Sequence, residues 1–369
     1  MRYLSLFSGV EAATLAWEPL GWEGVAFCEY APFPSAVLAH HWPNIPNLGD
    51  ITKVTEKQIK QLGSIDIVVF GSPCQDLSIA GKRKGLDGER SGLYKYAIKI
   101  IKWCIKHCGT RFALWENVPG AFSSNEGADF CEVLSSLCGS KLTKPEKWST
   151  AGFCFGKVGL VEWCVLDAQY FGDPQRRRRV FAFADFGDWS DREPILSHSE
   201  SVLRDIETRR SNVSSATSSL KSSLASGKSV TGPILANCGK KQFIGNQEAF
   251  SGDYHIIESP CAVIPIQDKA TRGNITSGGY GFGVGRSGDP ALTLTTTHCH
   301  SVFHSDVVRK FTPVECERLQ GMPDNHTRIA WNGRTIEQCP NSERYCAIGN
   351  SMNVKVMAWL GKIIGSINN

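Results

Sequence analysis

The chain has 369 residues, of which 41% are hydrophobic and 21% charged. That length covers two or three domain-sized units with a full core, and the balance is ordinary for a globular protein. No apolar run approaches the ~20 residues that span a membrane, and a net charge of +4 allows a nucleic-acid partner only through a local basic surface. The fourteen cysteines are scattered, with no secretory signal before the first strand, so they are expected to be reduced thiols in a cytosol. Cys104 and Cys108 stand one helical turn apart, and His298, Cys299 and His300 alternate across an apparent strand. Neither spacing makes a zinc site, so no metal is expected.

In chain order, residues 2–7 read as a strand, Ser8-Gly9 as a turn, and Val10 to Leu20 as a helix stopped by Gly21. A second strand, Val25 to Cys28, ends at Glu29, about 20 residues after Gly9, where a carboxylate reaches a ribose hydroxyl pair. The turn lacks the three glycines of a dinucleotide fingerprint, which suits a non-phosphate adenosine ligand better than a pyrophosphate. Leu48-Gly49-Asp50-Ile51 is a loop with an acid, followed by a polar helix to Leu62. Ile65 to Phe70 is a β-branched apolar run that Gly71-Ser72-Pro73 stops, so Cys74 stands at the carboxyl end of a strand, where open α/β sheets place ligands. There the cysteine reads as a nucleophile rather than a small buried hydrophobe. The glycine-rich, charged segment from Asp76 to Gly92 reads as a loop that closes over a substrate.

Tyr94 to Ile105 is expected as a helix, and Arg111 to Trp115 as a strand ending in Glu116-Asn117-Val118-Pro119, another strand-end carboxylate. Gly159 to Asp167 and Val180 to Phe183 are further strands. Four arginines, Arg176 to Arg179, enter the latter; because side chains alternate, some must point into the site or pair with acids. From Ser197 to Ser229 the composition shifts to a Ser-rich linker. Residues 230–305 hold short β-type runs amid glycines, with Arg272 and Arg286 suited to a polyanion backbone. Thr312-Pro313 opens a helix ending near Gly321, Ala347 to Ser351 reads as a turn, and Val354 to Ile364 as the last helix. The expected fold is α/β, a doubly wound sheet with a small β-rich insert.

These strand-end residues, in this order, resemble the DNA (cytosine-5)-methyltransferase family over nearly the whole chain outside 190–305. Phe7-Ser8-Gly9 is similar to its methyl-donor loop, Glu29 to its ribose-binding acid, and Asp50-Ile51 to its adenine-contacting loop. Pro73-Cys74-Gln75 resembles the nucleophile motif and Glu116-Asn117-Val118 the motif whose Glu contacts the target base. Gln175 to Arg179 resembles a Gln-x-Arg-x-Arg element with Arg177 and Arg179 functional; Arg309 to Pro323 and Gly349-Asn350-Ser351 resemble the last two motifs. The chain departs from the pattern at Val10-Glu11-Ala12, where many members carry more glycine, and at Ser72, where many carry Phe.

The resemblance implies a methyltransferase-type sheet in two parts, 1–189 and 306–369, around a target-recognition domain at 190–305. It implies S-adenosylmethionine as donor, bound by Phe7, Ser8, Gly9, Glu29, Tyr30, Asp50, Ile51, Pro73, Leu93, Asn350 and Ser351. Gln75, Ser78, Asn117 and Val118 are the implied substrate contacts. Cys74, Glu116, Arg177 and Arg179 are the implied catalytic set, with Arg177 orienting Glu116 and Arg179 reaching the cytosine carbonyl and helping to position Cys74. The implied partner is double-stranded DNA, and the expected form is a monomer in the cytoplasm, that of a bacterial host if the chain is phage-encoded. The wording of Leu166 to Phe171 and Cys339 to Ser351 is closest to phage and prophage members, which implies protection of DNA from restriction.

The chemistry explains the residue types. Cytosine C5 is too weak a nucleophile for a methyl sulfonium until a thiolate adds at C6, so covalent catalysis divides one hard step into two. Glu116, sharing a proton with the base, would hold N3 and the exocyclic amine. An amino-methyltransferase would need an Asp/Asn/Ser-Pro-Pro-aromatic motif that is absent. An RNA cytosine-5 methyltransferase and a catalytically silent DNA-binding module are the alternatives; the latter would not need a nucleophile. A nicotinamide oxidoreductase would need a better phosphate loop.

Overall fold

The computed structural model describes residues 1–72, 92–189, 192, 195–196, 264–266, 289–294, 300–304 and 307–368. Pro73, Cys74, Gln75 and Ser78, the glycine-rich loop up to residue 91, the Ser-rich 197–229 stretch, Arg272 and Arg286 lie outside the described residues.

Fully buried apolar runs form the centre of the sheet. Strands β1 (Arg2–Leu6), β2 (Glu23–Cys28), β3 (Ile67–Phe70) and β4 (Phe112–Asn117) are parallel, in the order β2-β1-β3-β4. Strands β5 (Ala151–Phe155), β6 (Leu160–Asp167) and β7 (Arg178–Asp185) extend it antiparallel as β7-β6-β5 beside β4. Near-continuous apolar strands such as Ile67-Val68-Val69-Phe70 are what a sheet covered on both faces requires. Two apolar clusters supply that cover. One packs α3 (Glu56–Gln61), α4 (Leu93–Cys108) and α5 (Ala128–Cys138) on one face; the other packs α1 (Ala12–Trp17), α2 (Pro32–His41) and the chain's last helices on the other.

Within the insert and just past it, β8 (Ile264–Ile266), β9 (Ser301–His304) and β10 (Val307–Lys310) form a separate antiparallel sheet. Then come α6 (Pro313–Leu319), α7 (Asn341–Asn350) and α8 (Val354–Gly365). Thr312 caps α6 in a reciprocal box with Glu315, as its Thr-Pro start predicts. The Arg309 guanidinium on Glu315 holds that carboxyl down at about 2. Helix α8 returns to the start of the chain: the Trp17 indole N–H donates to the Met357 carbonyl at 2.8 Å. Gly361 makes this close approach possible, since a Cβ there would lie 2.6 Å from the Trp17 ring.

Several expected boundaries shift. The first helix starts at Ala12, after Glu11, and gives way at Glu18 to a 3-10 turn. The expected turn at Ala347 to Asn350 is the last part of α7. Helices α2 and α5 and strand β5 are additional to the sequence reading. In the insert, the expected short β-type runs are represented among the described residues by the strand at Ile264–Ile266, while Ala291 contributes a single bridge to Gln175.

Candidate active site

All four parallel strands deliver their carboxyl ends to one place. Chain direction diverges between β1 and β3, with β2 on one side and β4 on the other, which is the switch point where such sheets bind ligands. A cavity of about 570 Å³ opens there. Its wall carries Phe7 and Gly9 after β1, Glu29 and Tyr30 after β2, Gly71 and Ser72 after β3, and Glu116 at the end of β4.

The loop after β1 is built from side chains more than from glycine. Phe7, Gly9 and Glu11 have φ of 54°, 56° and 64°, and two of these three left-handed positions are not glycine, which costs backbone energy that surroundings must offset. Ser8 Oγ donates to the Ser5 carbonyl at 3.0 Å and accepts from the Cys28 amide at 3.1 Å, tying the loop to β2. Glu11 is buried; it accepts from Ser5 Oγ at 2.8 Å and, as N-cap of α1, from the Thr14 amide at 3.2 Å. Glu29 accepts from the Gly9 amide at 2.8 Å and the Ala31 amide at 2.7 Å, which fixes its carboxylate on the cavity wall.

Burial pushes the Glu11 carboxyl up to about 7, against the hydrogen bonds from Ser5 and Thr14. Its ordinary value is 4.5, so between that pH and about 7 the folded chain holds a proton the unfolded chain has lost. Stability therefore falls as pH rises through this window, by an amount on the order of 3 kcal/mol from this group. Glu11→Gln is expected to flatten the decline. Its urea midpoint relative to the parent should be higher at pH 8 than at pH 5; an unchanged difference would contradict the assignment.

A second wall of the cavity joins β4 to β7. In the antiparallel ladder Glu116 lies opposite Phe181, so Arg179, two residues earlier on the same face, is its diagonal neighbour. Arg179 Nε meets Glu116 Oε1 at 3.0 Å, with only 15% and 13% of the two side chains exposed. The expected partnership of Arg177 with Glu116 is thus made by Arg179 instead. Arg177 donates to the Ser351 carbonyl at 2.6 Å and the Gly349 carbonyl at 3.2 Å, fastening the end of α7 to the start of β7. Alternation holds across the run: Arg176 and Arg178 are exposed, Arg177 is buried and Arg179 half-buried.

Ser72, the departure from a more usual Phe, is buried and engaged. Trp115 Nε1 donates to its hydroxyl at 3.0 Å, and Asn117 Nδ2 approaches its carbonyl at 3.4 Å. These contacts anchor the chain immediately before Pro73.

Of the expected donor residues, Phe7, Gly9, Glu29, Tyr30, Asp50, Ile51, Leu93 and Asn350 line the cavity. Ser8 and Ser351 do not line it: Ser8 ties the loop to β2, and buried Ser351 holds Arg177. Val118 lines the cavity, whereas buried Asn117 turns to Ser72. The sequence reading missed Pro32, Phe33 and Pro34 at the start of α2, and Glu343, Cys346 and Ala347 on α7. The buried spacing Arg344, Ala347, Ile348 was the available signal for α7.

The sequence profile of C-5 cytosine-specific DNA methylases matches residues 1–366. A protein of Escherichia phage P1 named DNA N-6-adenine-methyltransferase is 33% identical over 97% of this chain, which spans 60% of that protein. The type II methyltransferase M2.BsuMI of Bacillus subtilis is 29% identical over 98% of this chain and 75% of its own length. Among solved structures, the S. pombe Dnmt2 methyltransferase superimposes with a TM-score of 0.57 over 100% of both chains at 15% identity, a likeness of fold.

Proposed function

The chain belongs to the C-5 cytosine-specific DNA methylase family, and we propose on that premise that it moves a methyl group from S-adenosylmethionine to C5 of a cytosine flipped out of duplex DNA. The observation that carries this reading is the meeting, in one cavity, of the Glu29-braced loop and the Glu116–Arg179 pair. A ribose-binding acid and a base-binding acid in one cavity suit a nucleoside donor facing an extruded base.

The cavity residues fit that donor. Phe7, Gly9, Glu29, Asp50 and Ile51 would hold it, with exposed Tyr30 at the rim. A dinucleotide fits poorly: Glu11 already occupies the Thr14 amide at the N-terminus of α1, where a pyrophosphate would sit. When bound, S-adenosylmethionine supplies an electrophilic methyl group. The protein's part is to make C5 able to receive it. Cys74 adds its thiolate to C6, which makes C5 an enamine carbon. Glu116 holds the N3 edge and exocyclic amine while charge develops on the ring, and Arg179 holds Glu116 in place. Once C5 carries the methyl group, a general base takes the C5 proton, and the released electron pair expels the Cys74 thiolate from C6 and restores the ring.

The adenine specificity in the phage P1 protein's name belongs to a chain of which this one spans 60%; Ser72-Pro73-Cys74 is not an amino-methyltransferase motif. We read residues 1–189 and 306–369 as the catalytic domain and 190–305 as the target reader, acting as a monomer on double-stranded DNA in a host cytoplasm. With phage relatives, the role is protection of phage DNA from restriction. Among the described residues, no helix is long and apolar enough to cross a membrane.

The test is expression of the chain and of a Cys74→Ala twin in a host lacking cytosine methylation, followed by cytosine-conversion sequencing. Protected cytosines in one short motif, absent from the twin, are expected. Unprotected DNA in both would redirect the search to RNA or to a silent binder.

A further inference from the structure

The closing segment of the chain reaches back to the methyl-donor loop through one histidine. His326 is 3% exposed, in the loop after α6. Its Nε2 lies 2.8 Å from the Val10 carbonyl. A carbonyl only accepts, so the ring must be the tautomer with its proton on Nε2. Burial lowers the ring's pKa to about 4, so it is neutral at physiological pH.

Val10 stands between Gly9 and Glu11 and is itself fully buried. It precedes the N-cap of α1, so its carbonyl lies outside the helix ladder, and a buried carbonyl needs a partner from elsewhere. His326 supplies it. The ring and the backbone around it are held in turn. His41 stacks on it at 4.3 Å between centroids and donates from its own Nε2 to the His326 carbonyl at 2.7 Å. The residues flanking it, Asn325 and Thr327, both donate their amides to buried Glu317 at 2.8 Å. A rigid imidazole N–H thus aims at the middle of a loop with two non-glycine residues in left-handed conformation.

We propose that His326 is a positioning residue for the donor site: its Nε2–H, through the Val10 carbonyl, holds the Phe7–Glu11 loop in the shape that S-adenosylmethionine binds. The inference rests on the donor assignment made above. It also accounts for how the loop keeps its shape with Val10-Glu11-Ala12 where many members carry more glycine.

The test compares His326→Phe, which keeps a ring against His41 but has no N–H, with His326→Gln, whose amide nitrogen reaches a similar point. Dissociation constants for S-adenosylmethionine would be measured by calorimetry on the full chain, below each variant's melting temperature, and those for duplex DNA by gel shift. The Phe variant is expected to bind the donor about tenfold more weakly, the Gln variant within about threefold of the parent by the same arithmetic, and both to bind DNA like the parent. Equal donor affinity in the Phe variant and parent would overturn the proposal, as would a folded Gln variant as weak as Phe. If the Phe variant does not fold, the parent decides alone. Its His326 Nε2–H resonance should shift and exchange more slowly on addition of donor; an unmoved resonance overturns the inference. A parent that binds no S-adenosylmethionine would instead defeat the donor assignment itself.

Discussion

Glu116→Gln is expected to lower the rate of methyl transfer by a factor on the order of 10²–10³, the usual cost of losing one group aimed at developing charge. The substitution keeps the side chain's length and leaves an oxygen to accept from Arg179 Nε, 3.0 Å away in the parent. What it removes is the carboxylate's capacity to share a proton with N3 of the base. The loss should therefore fall on kcat, with duplex affinity by gel shift little changed. Arg179→Met removes the partner that aims Glu116, so the two changes should be strongly non-additive in a double-mutant cycle. Single-turnover rates of methyl transfer to an oligonucleotide carrying the recognised motif measure both. Additive losses would mean that the ion pair does not act as a unit, and a Glu116→Gln variant with full activity would remove Glu116 from the mechanism.

That pairing marks the boundary of what the sequence could disclose. Strand ends were legible because local chemistry writes them: Ile67 to Phe70 is a buried β-branched run, and Gly71 stops it. The residues standing at those ends could be named before any coordinates. Which arginine meets Glu116 could not, because it depends on the register between β4 and β7. Two residues' difference in a period-two strand keeps Arg177 and Arg179 on one face, and only the pairing of Glu116 with Phe181 separates them. Helix α2 was hidden for another reason. Pro32 and Pro34 look like breakers, yet they fall in the first turn, where a missing amide costs nothing. Helix α5 was missed despite Phe130, Val133, Leu134 and Leu137 at helical spacing, so there the signal was present. In α7, Gly349-Asn350 resembles a stop and does end a helix, one that starts at Asn341 with no capping side chain to announce it. The link from His326 to Val10 spans 316 residues and has no local signature.

The largest stability effect is expected where the closing segment is clamped. Glu317 is fully buried on α6 and accepts from the Asn325 amide, the Thr327 amide and hydroxyl, and Arg344 Nη2 at 3.1 Å. Arg344, on α7 with 6% of its side chain exposed, also donates from Nε to the Thr327 hydroxyl at 3.0 Å. Such a pair contributes little compared with a well-packed apolar replacement, but breaking it leaves a buried charge without its counterion. Arg344→Met is thus expected to cost about 3–5 kcal/mol, read as a lower urea midpoint. Glu317→Leu should be worse, since it strands two backbone amides and a guanidinium together. Because Asn325 and Thr327 flank His326, either change should also weaken donor binding in whatever fraction stays folded. A stability loss with donor affinity intact would show that the clamp holds only the fold, whereas loss of both ties the end of the chain to the loop at its beginning.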